Sequence, residues 1–374
     1  ISLYNFTFDV SNQVTYPAGG YYVKVDLMNI PAETVNQTQN LSVTITFDAT
    51  VPTRYIDSKN RWIVNGSLFF PLGLLTGSLT SSQKTQIAAA YYNTIMDYDI
   101  FTIAHDNFPA WLDSLASVGL KQLLSLKDLY VGKPGENWTW GPHVGWEAIR
   151  NSIVAEYSTH SSVLGYYIND EASESYITAI GAMYDYVRTN DINHPAVSLL
   201  RETQALVRFI AFADVNMTDP YLLRQAYQDG VSKSSYLYQE GLHTKALRDD
   251  VMNTRNIMIA PECTSFKWLS PGASPPTYDQ MMCLAFQALI NGARGLLFYL
   301  FTGSSGTTGA VADEVLYPGH LANIYAMGGK IGGVVGPFAL GVVVAAGTQT
   351  TVAGTGSENL QLLTRLGNDS KYYT

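Results

Sequence analysis

The stretch Val163-Leu164-Gly165-Tyr166-Tyr167-Ile168-Asn169-Asp170-Glu171 decides how the chain is read. It is a run of strand length that stops on three polar residues, two of them acids. Runs of the same kind recur along the chain at Leu68–Leu75, Ile100–Ala104, Gln122–Leu126, Leu164–Ile168, Ala196–Leu200, Ala213–Met217, Ile257–Ala260 and Gly295–Leu300. Between them lie segments of helical pattern, at Ser81–Met96, Ala110–Val118, Trp146–Tyr157, Glu174–Arg188, Tyr236–Asn253 and Tyr278–Asn291. Ser81-Ser82-Gln83 offers a helix cap, and Asn291-Gly292 a helix stop. Strands alternating with helices pair in parallel through right-handed crossovers. Eight strands alternating with helices over residues 62–338 predict an α/β fold, a (β/α)8 TIM barrel. A doubly wound sheet, the frame of a dinucleotide-dependent oxidoreductase, would carry GxGxxG after its first strand, and Gly73-Leu74-Leu75-Thr76-Gly77 is not that motif.

The flanks have a different period. Tyr21–Leu27 and Leu41–Phe47 alternate with period two, and Pro17-Ala18-Gly19-Gly20 and Pro31-Ala32 punctuate them. Residues 1–61 read as an N-terminal β-sandwich module. Gly341–Ala346 and Gln361–Leu366 read as strands of a C-terminal β module over 339–374. The uncharged stretch Ile331–Ser357 is broken by Pro337 and five glycines, which predicts a helix end, a turn and a strand in place of a membrane span.

The 374 residues carry 22 basic and 31 acidic side chains, a balance of 22 − 31 = −9. Only 14% are charged, against about 25% in an average soluble domain. Neutral polar residues, 31 Gly and 25 Tyr take their place. Such a surface is a poor partner for nucleic acid or an anionic membrane and suits a neutral, hydroxyl-rich ligand, a carbohydrate. The two cysteines, Cys263 and Cys283, form no CxxC or Cys/His motif, so no metal site is expected. Their even number fits a disulfide and an oxidising compartment; two buried thiols fit equally well. The chain begins at Ile1 without a charged and then apolar leader and reads as a mature chain or a fragment. Sequons stand at Asn5, Asn36, Asn40, Asn65, Asn137, Asn216 and Asn368, a mild excess over chance. They predict a secreted or extracellular glycoprotein with N-linked glycans at all of them but Asn216, which lies at a strand end.

In a barrel of this kind chemistry sits where strands end. The ends carry His105, Lys127 and Asp128, Asp170 and Glu171, Arg201, Asp219 and Tyr221, Glu262, and Tyr299. Glu171 and Glu262 close the fourth and seventh runs. Across a barrel mouth two carboxyls can approach to about 5–5.5 Å, the separation a retaining glycosidase needs. One must donate a proton to the leaving oxygen and the other must be ionised to attack the anomeric carbon. Their repulsion and unequal burial push the two pKa values apart. Trp140, with Trp138 and Trp146, and Trp268 after the seventh run offer aromatic faces for sugar rings, although loop aromatics also pack on themselves. Asp219-Pro220-Tyr221 fits a turn as well as a hydroxyl-binding end. Glu171 could instead sit at the dipole of the following helix, and Glu262 in a structural ion pair.

Several segments resemble the retaining glycoside hydrolases of clan GH-A over residues 60–340. They are Trp62-Ile63-Val64-Asn65-Gly66-Ser67-Leu68-Phe69-Phe70-Pro71-Leu72-Gly73, Gly165–Ala172, and Phe286–Tyr299. The resemblance implies that Glu171 is the acid/base and Glu262 the nucleophile, with no metal or organic cofactor. Three positions depart from the clan: Asp170 stands where it has Asn, His105 where it often has Arg, and Tyr299 where it has Trp. A non-catalytic structural or glycan-binding glycoprotein on the same barrel is the alternative reading.

Overall fold

The structure, a computed structural model, describes residues 19–29, 34–45, 52–335, 342–343, 365–366 and 372–373, except 58, 202–207, 253 and 304–305. The chain divides into two compact units, Ile1–Pro52 and Thr53–Thr374. In the first, Gly19–Asn29 and Thr34–Ile45 pair as an antiparallel hairpin with an irregularity at Leu27/Met28.

The second unit is built on a closed barrel of eight strands. They are β1 Leu72–Thr76, β2 Thr94–Asp97, β3 Lys121–Ser125, β4 Val163–Asp170, β5 Ala196–Leu200, β6 Val215–Thr218, β7 Asn256–Ile259 and β8 Leu296–Thr302. Every neighbouring pair is parallel, and β8 closes on β1. Helices follow the strands: α1 Ser81–Ala89, α2 Phe108–Ala116, α3 Trp146–Tyr157, α4 Ile177–Asn190, α5 Leu222–Gln228, α6 Gln239–Asp250, α7 Tyr278–Ile290, α8 Ala310–Leu316 and α9 His320–Lys330. The (β/α)8 barrel expected from the alternation is therefore the architecture.

Period-two alternation fills the barrel on one side and its sheath on the other. β7 shows it: Met258 and, just past its end, Ala260 join the interior with Val215, Met217, Leu123 and Leu75, whereas Ile257 and Ile259 join the layer under the helices. Close approach of strands needs a missing side chain at Gly73, where a Cβ would stand 2.2 Å from the Thr94 carbonyl oxygen. A three-stranded antiparallel sheet, Arg54–Ile56, Trp62–Val64 and Ser67–Phe69, adds Ile56, Trp62 and Val64 to the barrel interior. Asn256, the first residue of β7, donates to the Asn60 carbonyl of this sheet, so the sheet covers the N-terminal end and leaves the C-terminal end for the loops.

The second strand differs from expectation. The helical pattern over Ser81–Met96 holds only to Ala89, and Thr94–Asp97 is the strand. The sequence between carries no Gly or Pro to mark the break. Tyr91 supplies it with a left-handed φ of 64°, and the Asn93 side chain bonds Leu72 N and Phe70 O next to β1. The expected strand Ile100–Ala104 is a single 3-10 turn at Ile100–Thr102, and its Ile100 is buried by loop packing. The cap of α1 is Thr80, one residue before the expected serines, in a capping box with Gln83. α7 starts with the same device, Thr277 and Gln280, and Gly292 follows its end.

Short strands Val342–Val343, Arg365–Leu366 and Tyr372–Tyr373 form an antiparallel sheet near the C-terminus. Among the described residues no helix is long and apolar enough to cross a membrane. Cys263 and Cys283 are free thiols, the first buried and the second half-buried.

Candidate active site

Because all eight strands are parallel, their C-terminal ends share one mouth. β4 ends on Asp170, and the chain then turns sharply at Glu171, whose φ of 48° is left-handed. A non-glycine residue held there is costly by roughly 1–3 kcal/mol and persists only when its surroundings fix it. The Glu171 amide donating to the Leu199 carbonyl of β5 at 3.1 Å is one such constraint. β6 ends on Thr218, so Asp219 is the next residue on the rim, and Tyr221 precedes α5.

The carboxyl that meets Glu171 is Asp219. The two are hydrogen-bonded, and Asp219 is 5% exposed. Burial first, and then the Glu171 charge, hold the Asp219 carboxyl well above the ordinary range, although the Tyr221 hydroxyl donating to it pulls the other way. The Tyr221 phenol is pushed up by burial and by Asp219, so it stays a donor.

Asp170 lies beside this pair. It accepts from the Tyr167 hydroxyl at 2.8 Å and faces the Lys127 ammonium at 3.6 Å. Lys127 also meets Asp128 at 2.8 Å and stands over the Tyr98 ring at 5.3 Å. Burial works against the Lys127 charge, but Asp170 and Asp128 outweigh it and raise the pKa. Burial and Asp170 keep the Tyr98 and Tyr167 phenols neutral. Burial, Asp170, Asp219 and Glu171 do the same for Tyr299. Tyr299 extends an aromatic wall: its ring lies 6.4 Å from Tyr98, 5.4 Å from Tyr221 and 5.5 Å from Phe266. Phe266 leads on, at 5.3 Å, to Trp268, which is 37% exposed.

Glu262 is held by the helix that follows Tyr221. It is 1% exposed, and both its oxygens are taken by the first turn of α5: Oε1 accepts from Leu223 N and Oε2 from Arg224 N, the latter at 3.2 Å. It caps that helix from outside, where the dipole favours an anion. Burial pushes its carboxyl up to about 8, against those two amides and the charges of Lys233 and Arg224. Glu171 has Asp219 beside it, a contact that the strand-end pattern does not mark, and Glu262 has the first turn of α5.

The other expected residues divide between the mouth and its surroundings. Lys127, Asp128, Asp170, Asp219, Tyr221 and Tyr299 come together. His105 does not end a strand; it opens a 3-10 turn, His105–Asn107, in the loop after β2. Trp140 offers no face to a ligand. It is 3% exposed, donates to the Ile103 carbonyl at 2.8 Å, and packs among Phe101, Phe108 and Tyr157 as a loop core. Arg201 follows β5 and is exposed, and residues 202–207 after it lie outside the described part. Tyr98 and Tyr167 belong to the site although the strand-end pattern does not mark them. Asp97 ends β2, is buried, and is pushed up to about 7 by burial, against the Asp99 amide. With β2 placed at Thr94–Asp97, Asp97 and Tyr98 become strand-end residues.

Among the sequons, Asn65 and Asn137 are exposed, and Asn216 is fully buried with its amide on the Ile210 carbonyl. Asn36 and Asn40 fall on the second hairpin strand; Asn5 and Asn368 lie outside the described residues.

No family model and no curated relative matches the chain. Solved structures do. A β-galactosidase from Rahnella sp. R3 superposes on 74% of this chain and 59% of its own, at 14% identity and a TM-score of 0.55. A glycoside hydrolase family 5 mannosidase from Rhizomucor miehei covers 67% of this chain and 86% of its own, at 9% identity and a TM-score of 0.49. The first of these likenesses shows the barrel fold. This chain spans about three fifths of that β-galactosidase.

Proposed function

We propose that this chain is a glycoside hydrolase that acts on a neutral glycan at the C-terminal mouth of its barrel, by double displacement. The contact between Glu171 and Asp219 carries this reading. Two carboxyls in hydrogen-bond contact resist losing both protons, and burial together with the Glu171 charge raises the Asp219 carboxyl well above its ordinary range. A proton held at a barrel mouth is what a glycosidic oxygen needs on leaving. Glu171, the more exposed of the two, delivers it as general acid, and Asp219 keeps it supplied. Asp219 is too close to Glu171 to serve as the nucleophile, because an anomeric carbon needs the wider spacing of about 5–5.5 Å. That role falls to Glu262, whose two backbone donors favour the ionised form. Asp170, Lys127, Asp128 and Tyr299 bind hydroxyls, and Trp268 stacks on a sugar face.

A second reading, a glycan-binding protein without turnover, is favoured by one observation: Glu262 has both oxygens engaged and is pushed up to about 8. A 2-deoxy-2-fluoro glycosyl fluoride series, followed by peptide mass spectrometry, separates the readings. Label on Glu262 is expected. Label on Asp219 would remove the nucleophile role from Glu262. No label from gluco-, galacto- and manno-probes at neutral and alkaline pH, with glycan binding retained, would leave the binding protein.

We also propose an extracellular location, from the exposed sequons at Asn65 and Asn137. Expressed through a eukaryotic secretory route, the protein is expected to lose mass at both sites on enzymatic deglycosylation, and none at buried Asn216. Unmodified Asn65 and Asn137 peptides would count against it.

A further inference from the structure

Three residues from separate segments meet beside the loops after β2 and β3. His105 opens the 3-10 turn after β2, His143 starts the second strand of a small hairpin in the β3 loop, and Glu156 lies in the last turn of α3. His105 Nε2 stands 3.4 Å from Glu156 Oε2, and His143 Nε2 stands 3.4 Å from Glu156 Oε1. One ligand atom from each of the three residues lies within 4.8 Å of the others. We propose that His105, His143 and Glu156 form a binding site for a divalent transition metal of the zinc class.

The spacing fits. Ligand atoms about 2.0–2.1 Å from a tetrahedral zinc ion stand about 3.3–3.4 Å from one another; each histidine already lies that far from a Glu156 oxygen, and the set as a whole, within 4.8 Å, draws in by side-chain movement to close on an ion. Two imidazole nitrogens and one carboxylate suit zinc, cobalt or nickel, and not calcium or magnesium, which take oxygen ligands. The His105 ring is set for the task. Its Nδ1 faces the Asp106 carboxylate at 3.1 Å, the outer partner that turns a metal-binding imidazole, and Nε2, which has the Tyr157 hydroxyl at 3.4 Å, faces the ion position. Its position is boxed in by Gly141, where a Cβ would lie 2.6 Å from His105 Cβ and Cγ, and by the Trp140 ring at 4.8 Å. The side chains of His143 and Glu156 are 24% and 41% exposed, which leaves an open side for a water ligand. A bound ion would tie the β2 loop to the β3 loop and to α3, bracing one flank of the barrel mouth. The sequence hides this site because its residues are 38 and 13 positions apart, with no His-x-His or Cys spacing (143 − 105 = 38; 156 − 143 = 13).

The experiment uses the whole chain, stripped with a chelator and titrated with Zn2+ by calorimetry. One ion per chain is expected, with a rise in Tm that Ca2+ and Mg2+ do not reproduce. Co2+ at the same site is expected to give visible absorption of a four-coordinate centre. His143→Ala and Glu156→Gln should each abolish the one-to-one binding, and Asp106→Asn should weaken it about 10–100-fold. Should His143→Ala fail to fold by near-ultraviolet circular dichroism, the surface change Glu156→Gln carries the test alone. Absence of heat and of cobalt absorption up to millimolar metal overturns the site. So does binding that Glu156→Gln and the folded histidine variant leave unchanged; the three residues are then an ordinary ion-pair cluster.

Discussion

Glu171→Gln is expected to lower turnover of an unactivated glycoside by about 10²–10⁴-fold, the range that loss of a general acid costs. The change keeps the side chain's size, and Glu171 is half-buried at the rim, so the fold is expected to stand. The loss should fall on kcat, because the proton is needed only as the glycosidic bond breaks. An activated substrate, whose leaving group departs without a proton, should recover most of the rate. Asp219→Asn is informative beside it. It removes the carboxyl that Glu171 touches, so Glu171 then titrates alone and the pH profile of kcat moves, even where kcat at the optimum survives. Steady-state kinetics on paired substrates with good and poor leaving groups checks both. Equal rates for wild type and Glu171→Gln on the poor leaving group would remove Glu171 from the chemistry.

Glu262→Gln is expected to act on both turnover and stability, with opposite pH signatures. In the folded chain burial lifts the Glu262 carboxyl from 4.5 to about 8. An acid whose pKa is raised on folding binds its proton more tightly in the folded state. Its contribution is complete below about 4.5 and is lost as pH climbs through about 8. The total is on the order of a few kcal/mol, since each tenfold gain in proton affinity on folding is worth about 1.4 kcal/mol. Wild-type stability should therefore fall between mildly acid and mildly alkaline pH, and Glu262→Gln should flatten much of that fall. Asp97, lifted from 3.8 to about 7, acts in the same direction and leaves a residual slope below neutrality. Turnover runs the other way. A nucleophile must be ionised, so wild-type kcat should rise as Glu262 loses its proton towards pH 8, while the variant forms no covalent intermediate. Urea unfolding across pH reads the first effect, and trapping with a fluorinated sugar reads the second. Identical pH slopes in the two proteins would place the Glu262 proton outside the folding equilibrium.

These expectations turn on features that are legible in the sequence to different degrees. Six strand ends, β3 to β8, lie within about two residues of their positions in the sequence pattern, because a strand buried on both faces advertises itself as an apolar run. β2 is not legible. Thr94-Ile95-Met96 continues the apolar rhythm of α1, and the break depends on Tyr91 and on Asn93 reaching back to Phe70 and Leu72. Lys127, Asp128, Asp170 and Tyr299 can be read because each directly follows or ends a visible run. Tyr98 and Asp97 are hidden by the concealed strand. Trp140 is ambiguous in the sequence, because a loop tryptophan looks the same whether it faces a sugar or its own loop.

The amino-acid sequence alone determined that strand and helical segments alternate along the barrel region, that acids crowd the strand ends, and that few charges remain for the surface. Those are properties of local period and composition, which each segment carries by itself. Only the tertiary structure decided which carboxyls touch. Glu171 meets Asp219, Glu262 turns to the first turn of α5, and His105 finds His143 and Glu156. The reason is directional. A strand-end side chain is aimed by barrel closure and by the loop packed above it, and a shift of one residue sends it to the opposite face, a choice that periodicity cannot record.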